Sequence, residues 1–155
     1  MLEVIKNYSH FKKNMISQPT DGVTYAPKII KSTFEIAWNS KTNWEVYNQF
    51  RALGEISKLY SFWEKSNTII RFDKALSPRV LSDFNLDQTY PDAVPGKVIS
   101  VKHKSDRFIC VKCANGWIAF ENFYLGAKKC MTTQDFYSGY IAKDKKGSHK
   151  FVSSK

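Results

Sequence analysis

The sequence predicts a mainly β domain with short helices, in the form of an open Greek-key, OB-like barrel. Three runs, at 97–103, 107–113 and 117–124, place Val, Ile, Phe or Trp at near-alternating positions, which indicates half-buried strands. Two similar runs at 58–64 and 68–76 precede them, and a predicted helix lies in the path. Five short antiparallel strands combined with a helix are typical of this small barrel.

The N-terminal part is predicted to be a helix followed by an extended linker. Leu2 and Ile5 fall at helical spacing, with Phe11 and Met15 further along, which predicts an amphipathic helix over residues 1–15. The prolines and the Asp-Gly step that follow break regular structure, so an extended segment is expected there. A lone amphipathic helix usually packs on another surface, and this chain is not expected to supply all of it.

Two further helices carry start signals in the sequence. Thr42 and Glu45 form the Thr-x-x-Glu pattern of a capping box, which predicts a helix of about eleven residues that ends near Gly54. Thr132 and Asp135 predict a second, short helix after the last strand. The aromatic side chains of the first of these helices are expected to pack in the core.

The sequence predicts connections of two kinds between the strands, a tight turn and a long loop. Asn115-Gly116 favours a tight turn between antiparallel strands, because glycine adopts positive φ at low steric cost. The segment 77–95 is rich in Pro and Asp, and it predicts a long, locally acidic loop without a helix or strand.

Trp38 and Trp117 are expected in the core rather than on a base-stacking surface.

The chain has a net charge of +10, and the surplus is concentrated after residue 95. Residues 96–131 hold seven Lys or Arg side chains against Asp106 and Glu121. Such a surplus is expected for a polyanionic partner, and a surface charged only for solubility is the alternative. Arg51 lies outside this region and is expected to be a buried anchor of its helix.

The sequence shows no recognisable catalytic or metal-binding motif. It contains no Gly-rich phosphate loop and no Gly-x-Ser-x-Gly motif. Cys110 and Cys113 have the spacing of a metal-binding pair, but residues three apart in a strand point to opposite faces, so reduced thiols are expected. No run approaches the length of a membrane span. A binding module is therefore predicted, with no catalytic residue and no metal.

Several short motifs, in order along the chain, carry a resemblance to a known enzyme family. The run Thr24-Tyr25-Ala26-Pro27-Lys28-Ile29 is similar to the family's interdomain linker, and Phe50-Arg51-Ala52-Leu53 is similar to one of its helices. Pro95-Gly96-Lys97-Val98 resembles a strand start, and Gly126–Phe136 resembles a Gly-Lys-Lys…Asp-Phe ending. In series these motifs resemble the methionyl-tRNA formyltransferases, although Ala37 stands where the family has an acidic residue.

The resemblance implies a division of the chain. Residues 1–17 would be the last helix of a missing Rossmann-like catalytic domain, and 18–36 the linker. Residues 37–142 would form a barrel of the formyltransferase C-terminal type, and 143–155 a basic, disordered tail. The whole enzyme formylates the amino group of initiator methionyl-tRNA with 10-formyltetrahydrofolate, in mitochondria. This chain is expected to bind no cofactor, to be inactive alone and to be a monomer that does not bind membranes.

The same resemblance implies that the basic side chains hold initiator tRNA. An A-form acceptor arm is read mostly through phosphates and 2′-hydroxyl groups, so a basic surface suffices. If about six cations contact phosphates, log affinity falls with log salt at a slope of about −5. The candidate residues are Lys28, Lys31, Lys97, Lys102, Lys104, Arg107, Lys112, Lys128 and Lys129.

Two other functions remain open from the sequence. The same barrel follows other folate-dependent formyl-transfer or hydrolysis domains, where it would be a structural module without RNA binding. An active enzyme is the third reading, and it would require formyl transfer by the isolated chain.

Overall fold

The computed structural model describes residues 2–17, 19–103, 106–126, 130–143 and 149–154. Within these ranges seven strands form one antiparallel sheet, in the order β3-β4-β5-β2-β1-β7, with β6 paired to β5. The mainly β class with short helices is confirmed. The strands are β1 Tyr60–Trp63, β2 Thr68–Ala75, β3 Val98–His103, β4 Asp106–Lys112, β5 Trp117–Leu125, β6 Cys130–Thr132 and β7 Phe151–Val152.

The helices agree with the start signals in the sequence and differ in their extent. Both predicted capping boxes are present, at Thr42 with Glu45 and at Thr132 with Asp135. The α-helices are α1 Leu2–Lys6, α2 Tyr8–Lys13, α3 Asn43–Leu53, α4 Leu86–Thr89 and α5 Thr133–Phe136. The described ranges also contain two 3₁₀ helices, Lys31–Phe34 and Pro78–Phe84, and a π-helical turn, Tyr137–Ile141.

The sheet and α3 enclose the main core, which is dominated by aromatic side chains. Trp38, Phe72 and Phe120 are buried, and the Trp38 ring meets each of the two Phe rings edge to face. The indole N–H of Trp38 donates to Ser61 Oγ at 2.9 Å, and that hydroxyl donates to the Val152 carbonyl at 2.9 Å. Each buried polar group in this chain of hydrogen bonds therefore has a partner, as burial requires.

A second apolar cluster lies on the other face of β3, β4 and β5. Leu81 and Leu86 come from the 77–95 segment and pack with Cys110 and Trp117 of the sheet. The prediction of a loop without structure is therefore wrong for this segment, whose apolar residues fold into helical turns that cover the sheet. This part of the sheet is buried on both faces, whereas the sequence pattern suggested a solvated outer face.

The C-terminal residues are part of the folded core. Phe151 is 1% exposed, and its ring contacts Trp63 and Phe72 at centroid distances of 5.1 and 5.0 Å. The Phe151–Val152 strand pairs with β1. The prediction of a disordered tail is therefore wrong for residues 149–154, because their apolar side chains fill the core from a distant point in the sequence.

The two edges of the sheet approach each other at one end. An isolated antiparallel bridge joins Lys97, just before β3, to Lys150, just before β7. Among the described residues this is the one bridge between those edges, so strand pairing leaves the sheet open. The Greek-key, OB-like barrel is accordingly not confirmed.

Candidate nucleic-acid interface

The outer end of the β3–β4 hairpin brings two of the predicted cations together. Lys102 and Arg107 are directly opposite each other in the antiparallel register, so their side chains project from the same face. Lys102 is exposed and Arg107 is half-buried. Two positive charges placed directly across a strand pair repel each other, so an anion bound here would relieve a local electrostatic cost.

The guanidinium of Arg107 is held in one orientation by its neighbours. It lies 3.7 Å from the ring centroid of Tyr137. Its Nη1 donates to Ser100 Oγ at 2.7 Å and its Nε donates to Gln134 Oε1 at 3.1 Å. These contacts leave other guanidinium N–H groups available to a phosphate, in a geometry that is already ordered.

Lys112 is placed differently from the other predicted contacts. Its Nζ lies 2.5 Å from Asp87 Oδ1, and its side chain is 16% exposed. The indole N–H of Trp117 donates to the same carboxylate oxygen at 2.9 Å. An RNA phosphate would have to displace this ion pair, so we leave Lys112 out of the proposed contacts.

Among the described residues, the predicted cations do not form one continuous surface. Lys97, just before β3, is five residues from Lys102 within it, so strand alternation places their side chains on opposite faces. Lys28 and Lys31 are exposed in the segment before β1. Lys104, Lys128 and Lys129 lie outside the described residues.

Of the side chains that were predicted to be buried, the two tryptophans at positions 38 and 117 are buried, and Arg51 is not. Trp38 and Trp117 are 1% and 3% exposed, which confirms their core placement. Trp44 is 42% exposed, and Arg51 is exposed with its guanidinium 5.9 Å from the Tyr47 ring. The prediction of Arg51 as a buried anchor is therefore wrong, because it lies on the solvent side of α3.

The cysteines have the environment of structural thiols. Cys113 packs in the main core and Cys110 in the second cluster, so the two lie on opposite faces of the sheet. Burial raises the pKa of each thiol to about 12, which keeps both protonated at neutral pH. Within the described ranges, no group of three or more His, Cys, Asp or Glu residues could hold a metal ion.

Comparison with known protein families identifies the domain. The family model described as "Formyl transferase, C-terminal domain" matches residues 28–141. This chain belongs to that family. The formyl transferase C-terminal domain therefore extends from the linker through the sheet to the π-helical turn, and β7 lies beyond the matched residues.

Relatives of this formyl transferase domain are named methionyl-tRNA formyltransferases. The human mitochondrial protein is 37% identical over 142 residues, which cover 91% of this chain and 35% of that protein. The mouse mitochondrial protein is 34% identical over 155 residues, covering 99% of this chain and 38% of that protein. A bacterial relative from Ruminiclostridium cellulolyticum is 30% identical over 141 residues, covering 88% and 41%. The chain thus spans 35–41% of the length of these relatives.

The structure of this formyl transferase C-terminal domain also shows a basic group that the sequence did not predict. Lys65, His149 and Lys150 lie near Lys97, although more than eighty residues separate Lys65 from His149. No local motif marks them, because the β1–β2 turn and the C-terminal segment meet only in the folded chain.

None of the described helices has the length and apolar character needed to cross a bilayer.

Proposed function

We propose that this chain is the tRNA-binding part of a mitochondrial methionyl-tRNA formyltransferase. In this role it holds initiator methionyl-tRNA as a monomer, while formyl transfer from 10-formyltetrahydrofolate is carried out by residues outside these 155. The names of the relatives and the match to a formyl transferase C-terminal domain support the assignment. No described residue of this chain is assigned to the folate.

The observation that carries the proposal is the Lys102–Arg107 pair at the outer end of the β3–β4 hairpin. A fixed guanidinium opposite an exposed ammonium suits a phosphate, since arginine can donate two parallel hydrogen bonds to it. Neither side chain is used in the apolar core. Such contacts fix the position of an RNA backbone without reading its sequence, which fits the recognition of an A-form arm.

The test measures binding of the full chain to a fluorescently labelled initiator tRNA by anisotropy, over a series of salt concentrations. The double variant Lys102→Glu/Arg107→Glu should bind at least about tenfold more weakly at low salt, because each lost charge-assisted hydrogen bond is worth about 1.5–3 kcal/mol. The slope of log affinity against log salt should become shallower by about 2, since two phosphate contacts are lost.

The matched control is Lys12→Glu/Lys13→Glu, which makes the same change in net charge on the exposed helix α2. It should keep most of the affinity and the wild-type salt slope. Equal losses in both double variants would show that net charge alone drives binding. Absence of binding by the wild-type chain at low salt would favour a structural module of a folate-dependent enzyme instead. Formyl transfer by the purified chain would establish an active enzyme, and we expect none.

A further inference from the structure

A basic cleft lies at the end of the sheet opposite to the Lys102–Arg107 pair. It has a volume of about 440 Å³ and lies between the 89–94 segment and the chain just before β7. Lys97, Lys150 and His149 line one part of it, and Tyr90 and Asp92 line the other. The cleft therefore brings an aromatic ring and one carboxylate together with a group of basic side chains.

The basic side chains of the cleft come from three separate segments. The antiparallel bridge sets Lys97 directly opposite Lys150, so both side chains project to the same face. The backbone N–H of Glu64 donates to the Lys150 carbonyl at 3.0 Å, which brings the neighbouring Lys65, in the β1–β2 turn, next to this segment. The folded chain thus concentrates positive charge here from residues near 65, 97 and 150.

The like charges grouped at this cleft favour a bound anion. Like charges directly opposite each other on neighbouring strands are destabilising, and the Lys97–Lys150 pair repeats the pattern of the Lys102–Arg107 pair. Asp92 supplies one negative charge to the cleft lining. Among the charged side chains that line the cleft, Lys97 and Lys150 outnumber Asp92, so a phosphate group would meet a net positive lining.

Tyr90 gives the cleft a second feature of nucleic-acid sites. Its ring is 39% exposed at the wall of the cleft, and its centroid lies 6.0 Å from that of the buried Trp117. A basic groove beside an exposed, supported aromatic ring is the combination that binds RNA backbone and stacks an unpaired base. We propose that this cleft is a second RNA-binding site, in which Lys65, Lys97 and Lys150 contact phosphates and Tyr90 packs against a base or ribose.

This proposal rests on the proposed function, because the RNA is the same initiator tRNA. The experiment uses the full chain and compares wild type with Lys65→Gln/Lys150→Gln by tRNA anisotropy. These residues are chosen because their side chains lie outside the apolar core. We expect binding about five- to tenfold weaker, with a salt slope shallower by about 2, as expected for two lost phosphate contacts.

Two further variants make the result specific. Lys12→Gln/Lys13→Gln removes the same charge from α2 and should keep the wild-type affinity and salt slope. Tyr90→Leu retains an apolar side chain and should weaken binding to tRNA while leaving the salt slope unchanged, because stacking releases no counterions. Melting curves of each variant confirm that the fold is retained.

The outcomes separate the two proposals. Wild-type binding that depends on Lys102 and Arg107 but not on Lys65 and Lys150 overturns the second site and leaves the proposed function standing. A wild-type chain that does not bind tRNA overturns both. Weaker binding by Lys65→Gln/Lys150→Gln with an unchanged salt slope also contradicts the second site, because it would indicate a structural effect.

Discussion

At the scale of single residues, His149 shows how the fold acts on a titratable group. Its side chain is 5% exposed and stacks on Trp63 at a centroid distance of 5.8 Å. Burial lowers its pKa from the ordinary value of 6.5, and the nearby charges of Lys65 and Lys97 lower it further. The folded chain therefore favours the neutral imidazole.

The stability of the chain should accordingly fall in mildly acidic solution. Because the folded-state pKa lies below that of the unfolded chain, the unfolded chain takes up the proton first as the pH falls. The contribution of neutral His149 is complete above about pH 6.5 and is lost as the pH falls towards the folded-state pKa. We expect a lower melting temperature at pH 5.5 than at pH 7.5, because the unfolded chain takes up the additional proton more readily over this range.

His149→Gln removes the titrating group and should flatten this pH dependence, although it lowers the melting temperature at every pH. The control is His10→Gln on the exposed helix α2, which should keep the wild-type dependence. A wild-type melting temperature that stays constant over this pH range would contradict the assignment.

At the scale of elements, Gly96 allows the C-terminal segment to close against the start of β3. Its φ of +86° lies in the left-handed region, and an added Cβ would collide with the carbonyl oxygen of Phe151. The backbone N–H of Phe151 donates to the Gly96 carbonyl at 2.9 Å, so the two segments are in direct contact. Glycine is the residue that permits this close approach.

Gly96→Ala should therefore destabilise the chain by more than the cost of placing alanine at a positive φ, because the added Cβ also collides with Phe151. Gly22→Ala is the matched control, because Gly22 has a φ of +77° but nothing within 4 Å of the added Cβ. We expect about 1–2 kcal/mol of lost stability at Gly22 and at least about 2 kcal/mol more at Gly96, measured by urea unfolding. Equal losses at both positions would show that the contact with Phe151 is unimportant.

Local sequence signals predicted most of the elements. The capping boxes at Thr42 and Thr132 were found because both partners of each box lie within four residues of chain. The helical turns at 78–89 were missed, because they form only where Leu81 and Leu86 have a sheet face to pack on. The strand register could not be predicted beyond this local range, because the pairing of distant strands is visible only in the folded structure.

At the scale of the whole molecule, the two ends of the chain contribute very differently to stability. No residue of α1 or α2 is buried, and Ile5 and Met15 are 67% and 76% exposed. Phe151, near the other end, contacts Trp38, Trp63, Phe72 and Phe136. The core is complete only when the C-terminal segment is in place.

Removing residues 143–155 should therefore abolish cooperative unfolding. Loss of a buried Phe side chain alone costs about 3–5 kcal/mol, which is a large part of the roughly 5–15 kcal/mol that stabilises a typical domain. The matched control removes residues 1–17 and should leave the melting temperature within about 4 °C of the wild-type value. Thermal melts followed by near-UV circular dichroism distinguish the two, and a cooperative transition in the C-terminal truncation would contradict the prediction.

The proposed RNA-binding surface was only partly predictable at this scale. Lys102 and Arg107 were both predicted as RNA contacts, since they sit in adjacent, well-marked strands. Lys112 was placed in the same set, but its pairing with Asp87 depends on the fold of the 77–95 segment. Lys65 and Lys150 were missed, because a composition count cannot show which lysines come together.

The amino-acid sequence alone determined the β class, the capped helices, the charge surplus and the family, because each depends on residue types within short stretches. The tertiary structure decided which face of each strand is buried, where the C-terminal segment lies and which cations become neighbours. The physical reason is that these features arise from contacts between residues far apart in the chain. Such contacts are selected by the packing of the whole core rather than by any local preference.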